Sequence, residues 1–271
     1  MRLLFLIAFC IACGSKEKLA PQADDLEILR SYYEDNLAKL KGIPSKTDCD
    51  GLLWAGLAKA GGVELDLDAF QSDSGELHRR PSKDCYETGD SRSSVSNDMI
   101  VGWAWGVYYS KDAKALEKFL QFAEDNKMIV GKPKNGVGEV LVKPNVQGLL
   151  GRLSYHLKLG SRPYGGIRLP YQESNKDYVK HIQTLMIALD GELSDKMPEL
   201  DIKLVCKYAK EDKDDYLMAA VCSVYNGGIT DAINLLIEEP EPPSYVRGDQ
   251  KERYRLAHWL FTANYLLNQG D

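Results

Sequence analysis

Apolar residues return every three or four positions along most of this chain, and that spacing predicts helices. Between Leu26 and Leu40, the residues Leu26, Leu29, Tyr33, Leu37 and Leu40 form one stripe, which Lys41-Gly42-Ile43-Pro44 ends. Leu52 to Ala60 reads as a second, buried helix, with Asp48 or Asp50 near its start and Gly61-Gly62 after it. Periodicity fails from Val63 to Ser96, where Gly, Pro, Ser and charged residues dominate. Irregular connections of that length inside a compact domain are usually functional or disordered. Ser96 to Tyr109 is apolar nearly all round, through Met99, Ile100, Val101, Trp103, Trp105, Val107 and Tyr108, which predicts a central helix. Gly102 and Gly106, four apart on it, would admit a neighbouring backbone. Lys111 to Asn126 carries a one-sided stripe of Leu116, Phe119, Leu120 and Ala123. Met128 to Val142 shows β-branched runs around Lys132-Pro133-Lys134-Asn135-Gly136, the pattern of a small hairpin turned at Asn-Gly.

Helical spacing resumes from Asn145 to Leu159, with Val146, Leu149, Leu150, Leu153 and Leu157 facing inward. It repeats from Asp177 to Leu189 through Tyr178, Ile182, Leu185, Met186 and Leu189. Three further segments, Glu199 to Ala209, Asp214 to Tyr225 and Thr230 to Glu238, precede a break at Pro240-Glu241-Pro242-Pro243 and a terminal helix from Lys251 to Asn268. No motif recurs at a fixed period, so a repeat solenoid is not supported. The expectation is an all-α fold of around nine helices, arranged as consecutive αα-hairpins with one small β-hairpin.

The apolar run at the start of the chain has a different meaning. Leu3 to Ala12 follows a single Arg2 and gives way to Cys13-Gly14-Ser15-Lys16-Glu17-Lys18, too short for a membrane span, which needs about 20 apolar residues. A basic residue, a short apolar run and a small residue before a cysteine make a secretory signal. Its Ile11-Ala12-Cys13-Gly14-Ser15 ending resembles the lipobox of bacterial lipoproteins, in which the peptidase cuts before a cysteine already carrying a diacylglyceryl thioether. That resemblance implies lipidation of Cys13, with residues 1–12 a signal peptide, 13–24 a lipidated tether and 25–271 a single helical domain. The competing reading is a soluble secreted product. The lack of Asp directly after Cys13 resembles lipoproteins passed on to an outer membrane. The expected location is therefore outside the cytoplasm, held at a bilayer by acyl chains, each buried methylene contributing about 0.8 kcal/mol.

Charge and cysteines narrow the partners. The chain carries a formal charge of −6, and cleavage before Cys13 would remove Arg2 and leave −7. An acidic chain with no basic arm is repelled by phosphates, so nucleic acid is not an expected partner. Of six cysteines, cleavage removes Cys10 and lipid occupies Cys13, leaving Cys49, Cys85, Cys206 and Cys222. An even number in an exported protein predicts disulfides, and proximity favours Cys49 with Cys85 and Cys206 with Cys222, although four cysteines allow three pairings. Without a C-x-x-C pair or H-E-x-x-H among four histidines, no metal is expected, and no cofactor is implied.

The succession of αα-hairpins around a long loop resembles the layout of the (α/α) toroid shared by several glycoside hydrolases and polysaccharide lyases. The resemblance is one of layout, without a family signature, so chemistry must be read from two polar clusters. The first holds His78-Arg79-Arg80-Pro81, Asp84-Cys85-Tyr86 and Arg92, followed by Ser96-Asn97-Asp98. An acid at Asp98 would have its pKa set by burial and nearby arginines, though Ser, Asn and Asp are also what a helix N-terminus prefers. The second places Arg152, Tyr155 and His156 on one helix face, followed by a glycine-containing loop with Arg162 and Tyr164.

Two functions follow. A polysaccharide-cleaving enzyme would need two carboxylates about 5 to 9.5 Å apart for hydrolysis. Asp98 with Asp50 or Asp84 would supply them, while a lyase would use Tyr155 or His156 as base. His78, Arg79, Arg80, Arg92, Arg152, Arg162 and Tyr164 would then bind substrate. The alternative is a non-catalytic envelope lipoprotein that binds a glycan or a protein partner. Convergence of the clusters in one cleft favours the enzyme, and dispersal favours the binder.

Overall fold

The structure, a computed structural model, describes residues 23–46, 49–83, 85, 94–131, 139–160, 169–194, 197–238 and 251–269. Cys13, Asp84, Tyr86, Arg92, Arg162, Tyr164, the Asn135-Gly136 turn and the proline-rich break lie outside them. Among the described residues there are ten α-helices, one for each of the helical segments that periodicity marks, and one two-stranded antiparallel sheet.

The first helix, α1 (Ala23–Lys39), is followed by α2 (Gly51–Ala60) and α3 (Asn97–Ser110). The connection between the last two contains only a single 3-10 turn (Asp68–Phe70) and an isolated bridge, Gln71 to Leu77, among its described residues. Helix α3 is buried from Met99 to Val107, as its unbroken apolar surface predicts. It packs on α2 through glycines. A Cβ at Gly102 would lie 2.5 Å from the Leu53 carbonyl oxygen, a Cβ at Gly56 would strike Gly102, and one at Gly106 would lie 3.2 Å from the Gly56 Cα. Only hydrogen at these positions lets the two backbones meet.

Helix α4 (Ala113–Asp125) buries its predicted stripe and is capped by Asp112, whose carboxylate accepts from the Ala115 N–H at 2.9 Å. The hairpin is β1 (Ile129–Gly131) with β2 (Val140–Leu141), joined at Ile129 opposite Leu141. There follow α5 (Pro144–His156), α6 (Asp177–Glu192), α7 (Glu199–Glu211), α8 (Tyr216–Asn226), α9 (Ile229–Glu238) and α10 (Lys251–Leu267). Neighbours in sequence pack against one another from α2 through α10, and α10 returns to α1 and α2. Helix α10 serves two apolar clusters, giving Tyr254, Phe261 and Tyr265 to the one around α2 and α3, and Trp259, Leu260 and Leu266 to the one with α1 and α9.

Both favoured disulfides are formed, Cys49–Cys85 and Cys206–Cys222, with Cα atoms 5.7 and 4.9 Å apart. The second joins α7 to α8 across their turn, a constraint on the unfolded chain of about 3 kcal/mol for a loop of this size. One helical stripe departs from expectation: Tyr178, read as inward-facing on α6, is 45% exposed. It sits in the first turn of α6, before the helix reaches the core that buries Leu185 to Leu189. No described helix is long and apolar enough to cross a membrane.

Candidate functional site

The first cluster braces the start of α2. The Arg79 carbonyl accepts from the Leu52 N–H at 3.0 Å, its N–H donates to the Ser94 carbonyl at 2.9 Å, and its guanidinium, 1% exposed, lies 3.7 Å from the Asp50 carboxylate. His78 donates its backbone N–H to Phe70, and Arg80 accepts at its carbonyl from Lys83. Asp50 occupies the N-cap position of α2 without a side-chain capping bond. A buried guanidinium tied to a loop and a helix start suits structural bracing better than a ligand contact.

Arg152 is also internally engaged. Its Nε and Nη2 donate to Oδ1 of Asp190, a carboxylate with no exposure at all, and the Tyr171 hydroxyl donates to Oδ2 at 3.1 Å. The partners on the same face of α5 behave differently. Tyr155 is 77% exposed, and Tyr155 and His156 line a depression of about 670 Å³ with Lys158, Gly160, Leu193 and Ser194.

Asp98 lies elsewhere, on the rim of a groove of about 640 Å³ built where α3, α5 and α6 all begin. It is lined by Pro144, Asn145 and Val146 of α5, by Tyr178, Val179, Ile182, Gln183 and Met186 of α6, by strand β2, and by Leu169 and Tyr171. Ser96 makes no side-chain cap, and Asn97 turns outward instead: its Nδ2 donates to the Leu141 carbonyl at 3.1 Å, and its Oδ1 accepts from the Lys143 N–H at 2.9 Å. This is the pairing a parallel neighbouring strand would make, and it covers the free edge of β2. Leu141, Leu169 and Tyr178 are left 55%, 41% and 45% exposed beside the groove. Five other large hydrophobic residues are exposed on the described surface, and none of them lines this groove.

The two clusters therefore do not share a cavity among the described residues. Asp98 faces the groove with Glu139, whereas Asp50 and Arg79 lie at α2 and the Tyr155–His156 depression opens at the far end of α5. Sequence reading missed Leu141, Leu169 and Glu139. Alternation held a signal for Leu141: with Val142 1% exposed on one face of a sheet covered on one side, its neighbour must face solvent. Among the described residues, no group of three or more His, Cys, Asp or Glu side chains is placed to hold a metal ion. Comparison with protein-family models, curated proteins and solved structures finds no match to this chain.

Proposed function

We propose that this protein is an exported lipoprotein, anchored at an outer membrane through Cys13, whose helical body binds a partner without turning over a substrate. The observation that carries this reading is the groove at the starts of α3, α5 and α6, which exposed Leu141, Leu169 and Tyr178 line together with Val146, Ile182 and Met186. Apolar surface gathered in a concavity marks a binding site when its neighbours are polar. The aliphatic lining suits an extended apolar peptide segment, with the Asn145 amide to meet its backbone, because the amides of Asn97 and Gln183 already serve Leu141, Lys143, Gln172 and Tyr208. A protein partner is therefore favoured over a glycan. The dispersal of the two polar clusters supports binding over catalysis.

Selection of displayed random peptides against the full chain tests this. Enriched sequences rich in aliphatic and aromatic residues should bind Leu141→Asp and Tyr178→Asp at least about tenfold more weakly, a difference of 1.4 kcal/mol. Equal binding to the variants would defeat the proposal. A second reading, glycan cleavage, is favoured by one observation, that Asp98 and Glu139 line the same groove. Turnover of a neutral or acidic glycan that disappears in both Asp98→Asn and Glu139→Gln would replace the peptide reading with it. Incorporation of a palmitate analogue, lost in Cys13→Ser, checks the anchor.

A further inference from the structure

At the opposite end of α3 from Asp98, about 15 Å away at the helical rise, a much smaller cavity of about 40 Å³ is lined by five aromatic side chains and one carboxylate, together with Ala60 and the amides of Asn264, Asn268 and Gln269. Trp105, Tyr108 and Tyr109 come from α3, Phe261 and Tyr265 from α10, and Glu192 from the last turn of α6. The rings pack edge to face around Trp105. Trp105 meets Phe261 at 72°, Tyr108 at 85° and Tyr265 at 86°, with centroids 4.8 to 6.1 Å apart. The Trp105 indole N–H is fixed on the Leu185 carbonyl at 3.0 Å, which holds the ring in place. Tyr109, 43% exposed, gives the cavity a side open to solvent.

The charge of this box is one-sided. Aromatic faces carry negative potential, and Glu192 adds a carboxylate that takes one hydrogen bond from the Tyr108 hydroxyl at 3.2 Å and one from the Gln269 amide at 2.6 Å. Burial pushes the Glu192 carboxyl up from its ordinary range, only partly opposed by those hydrogen bonds and the His156 imidazole. No lysine or arginine meets it among the described residues. A half-buried carboxylate walled by aromatic rings is the arrangement that a cation completes, through cation–π attraction and direct charge pairing. The cavity would hold about three waters at roughly 10–15 Å³ each, so an organic cation head would enter it in part, the rest staying at the open side beside Tyr109.

We infer that the box formed by Trp105, Tyr108, Tyr109, Phe261, Tyr265 and Glu192 recognises an ammonium or methylated ammonium group. This site is independent of the groove and of the reading built on it. The same head group occurs free or on a glycerophospholipid, and the experiment separates the two.

The test is a titration of the full chain with choline, with its neutral isostere 3,3-dimethyl-1-butanol, and with glycerophosphocholine, followed by the Trp105 indole N–H resonance. Choline or glycerophosphocholine should shift that resonance saturably, the isostere at least about tenfold more weakly. Tighter binding of glycerophosphocholine assigns a lipid head group, and tighter binding of choline a free cation. Glu192→Gln keeps an acceptor for Tyr108 and removes the charge, and Tyr109→Leu removes a partly exposed wall with little risk to folding. Both should weaken the cation by about tenfold or more while leaving the isostere unchanged. An isostere that binds as well as choline, absence of any saturable shift, or a choline response indifferent to both substitutions would overturn the inference.

Discussion

The environment of a charged side chain decides what it can do, and Arg152 illustrates this at the scale of one residue. Its guanidinium is 15% exposed and holds a carboxylate, Asp190, from which water is excluded. With the Tyr171 hydroxyl on the other oxygen, Asp190 depends on these groups for the solvation it lost on folding. Removing Arg152 would take from a buried charge the guanidinium bound to its Oδ1, and breaking a buried pair costs about 3–5 kcal/mol, whereas replacing both partners with apolar residues of similar size is often nearly neutral. Arg152→Ala is thus expected to lower the unfolding free energy by about 3 kcal/mol or more, measured by urea denaturation. Arg152→Leu combined with Asp190→Leu should recover most of it. A small loss in the single variant would mean that water reaches Asp190 and the pair contributes little. Under conditions where the single variant stays folded, peptide binding in the groove should be unchanged, since Arg152 does not line it.

At the scale of the element, what could be read from the sequence was decided by how local the cause was. Helix α3 was legible because its burial is written in its own composition, and Gly102 and Gly106 announced the close approach that α2 makes. The stripe of α4 was legible for the same reason, with Leu116, Phe119 and Leu120 no more than 1% exposed. The end of α6 was not. Apolar periodicity stops at Leu189, and a glycine two residues later ordinarily signals a helix stop. Yet α6 continues to Glu192, because Gly191 is needed inside it: the Tyr225 hydroxyl and the Met197 side chain occupy the space a Cβ would take. That extra turn carries both acids that matter most, Asp190 for Arg152 and Glu192 for the aromatic box. Their partners lie 38 and 84 residues away along the chain, so no spacing rule could have joined them. The groove was half legible. Asp98 stood out by chemistry, while Leu141 and Leu169 gained their meaning only when β2 and the start of α6 were brought beside it.

At the scale of the whole molecule, the helices are locked together around two imidazoles whose surroundings disfavour their charged form. His258 of α10 and His181 of α6, 0% and 1% exposed, lie with ring centroids 5.0 Å apart, beneath Trp54 of α2 and beside Tyr216 of α8. His258 Nδ1 pairs with the Tyr216 hydroxyl at 2.8 Å, and burial keeps that phenol neutral by pushing its pKa well above 10. Burial pushes His258 down to about 3, and burial followed by the neighbouring His258 pushes His181 well below 6.5. Well above pH 6.5 both imidazoles are neutral in the folded and unfolded states, and they add no pH dependence. Below it the unfolded chain takes up protons that the native protein refuses, so stability falls as pH falls, until His258 itself is protonated near pH 3. Each such group lowers stability by about 1.4 kcal/mol per pH unit, so His258 alone should cost roughly 2 kcal/mol between pH 6.5 and 5. Glu192 and Asp212, pushed up by burial, act in the opposite sense and regain stability in acid. Because that gain comes only as their carboxyls are protonated, the histidine slope should be cleanest just below pH 6.5. Denaturant unfolding at pH 7.5, 6.5, 5.75 and 5 should therefore show a plateau and then a decline. His258→Gln, which retains a partner for Tyr216, should flatten that decline by about 1.4 kcal/mol per unit. A variant that keeps the wild-type slope would show that acid enters this interior without opening the fold.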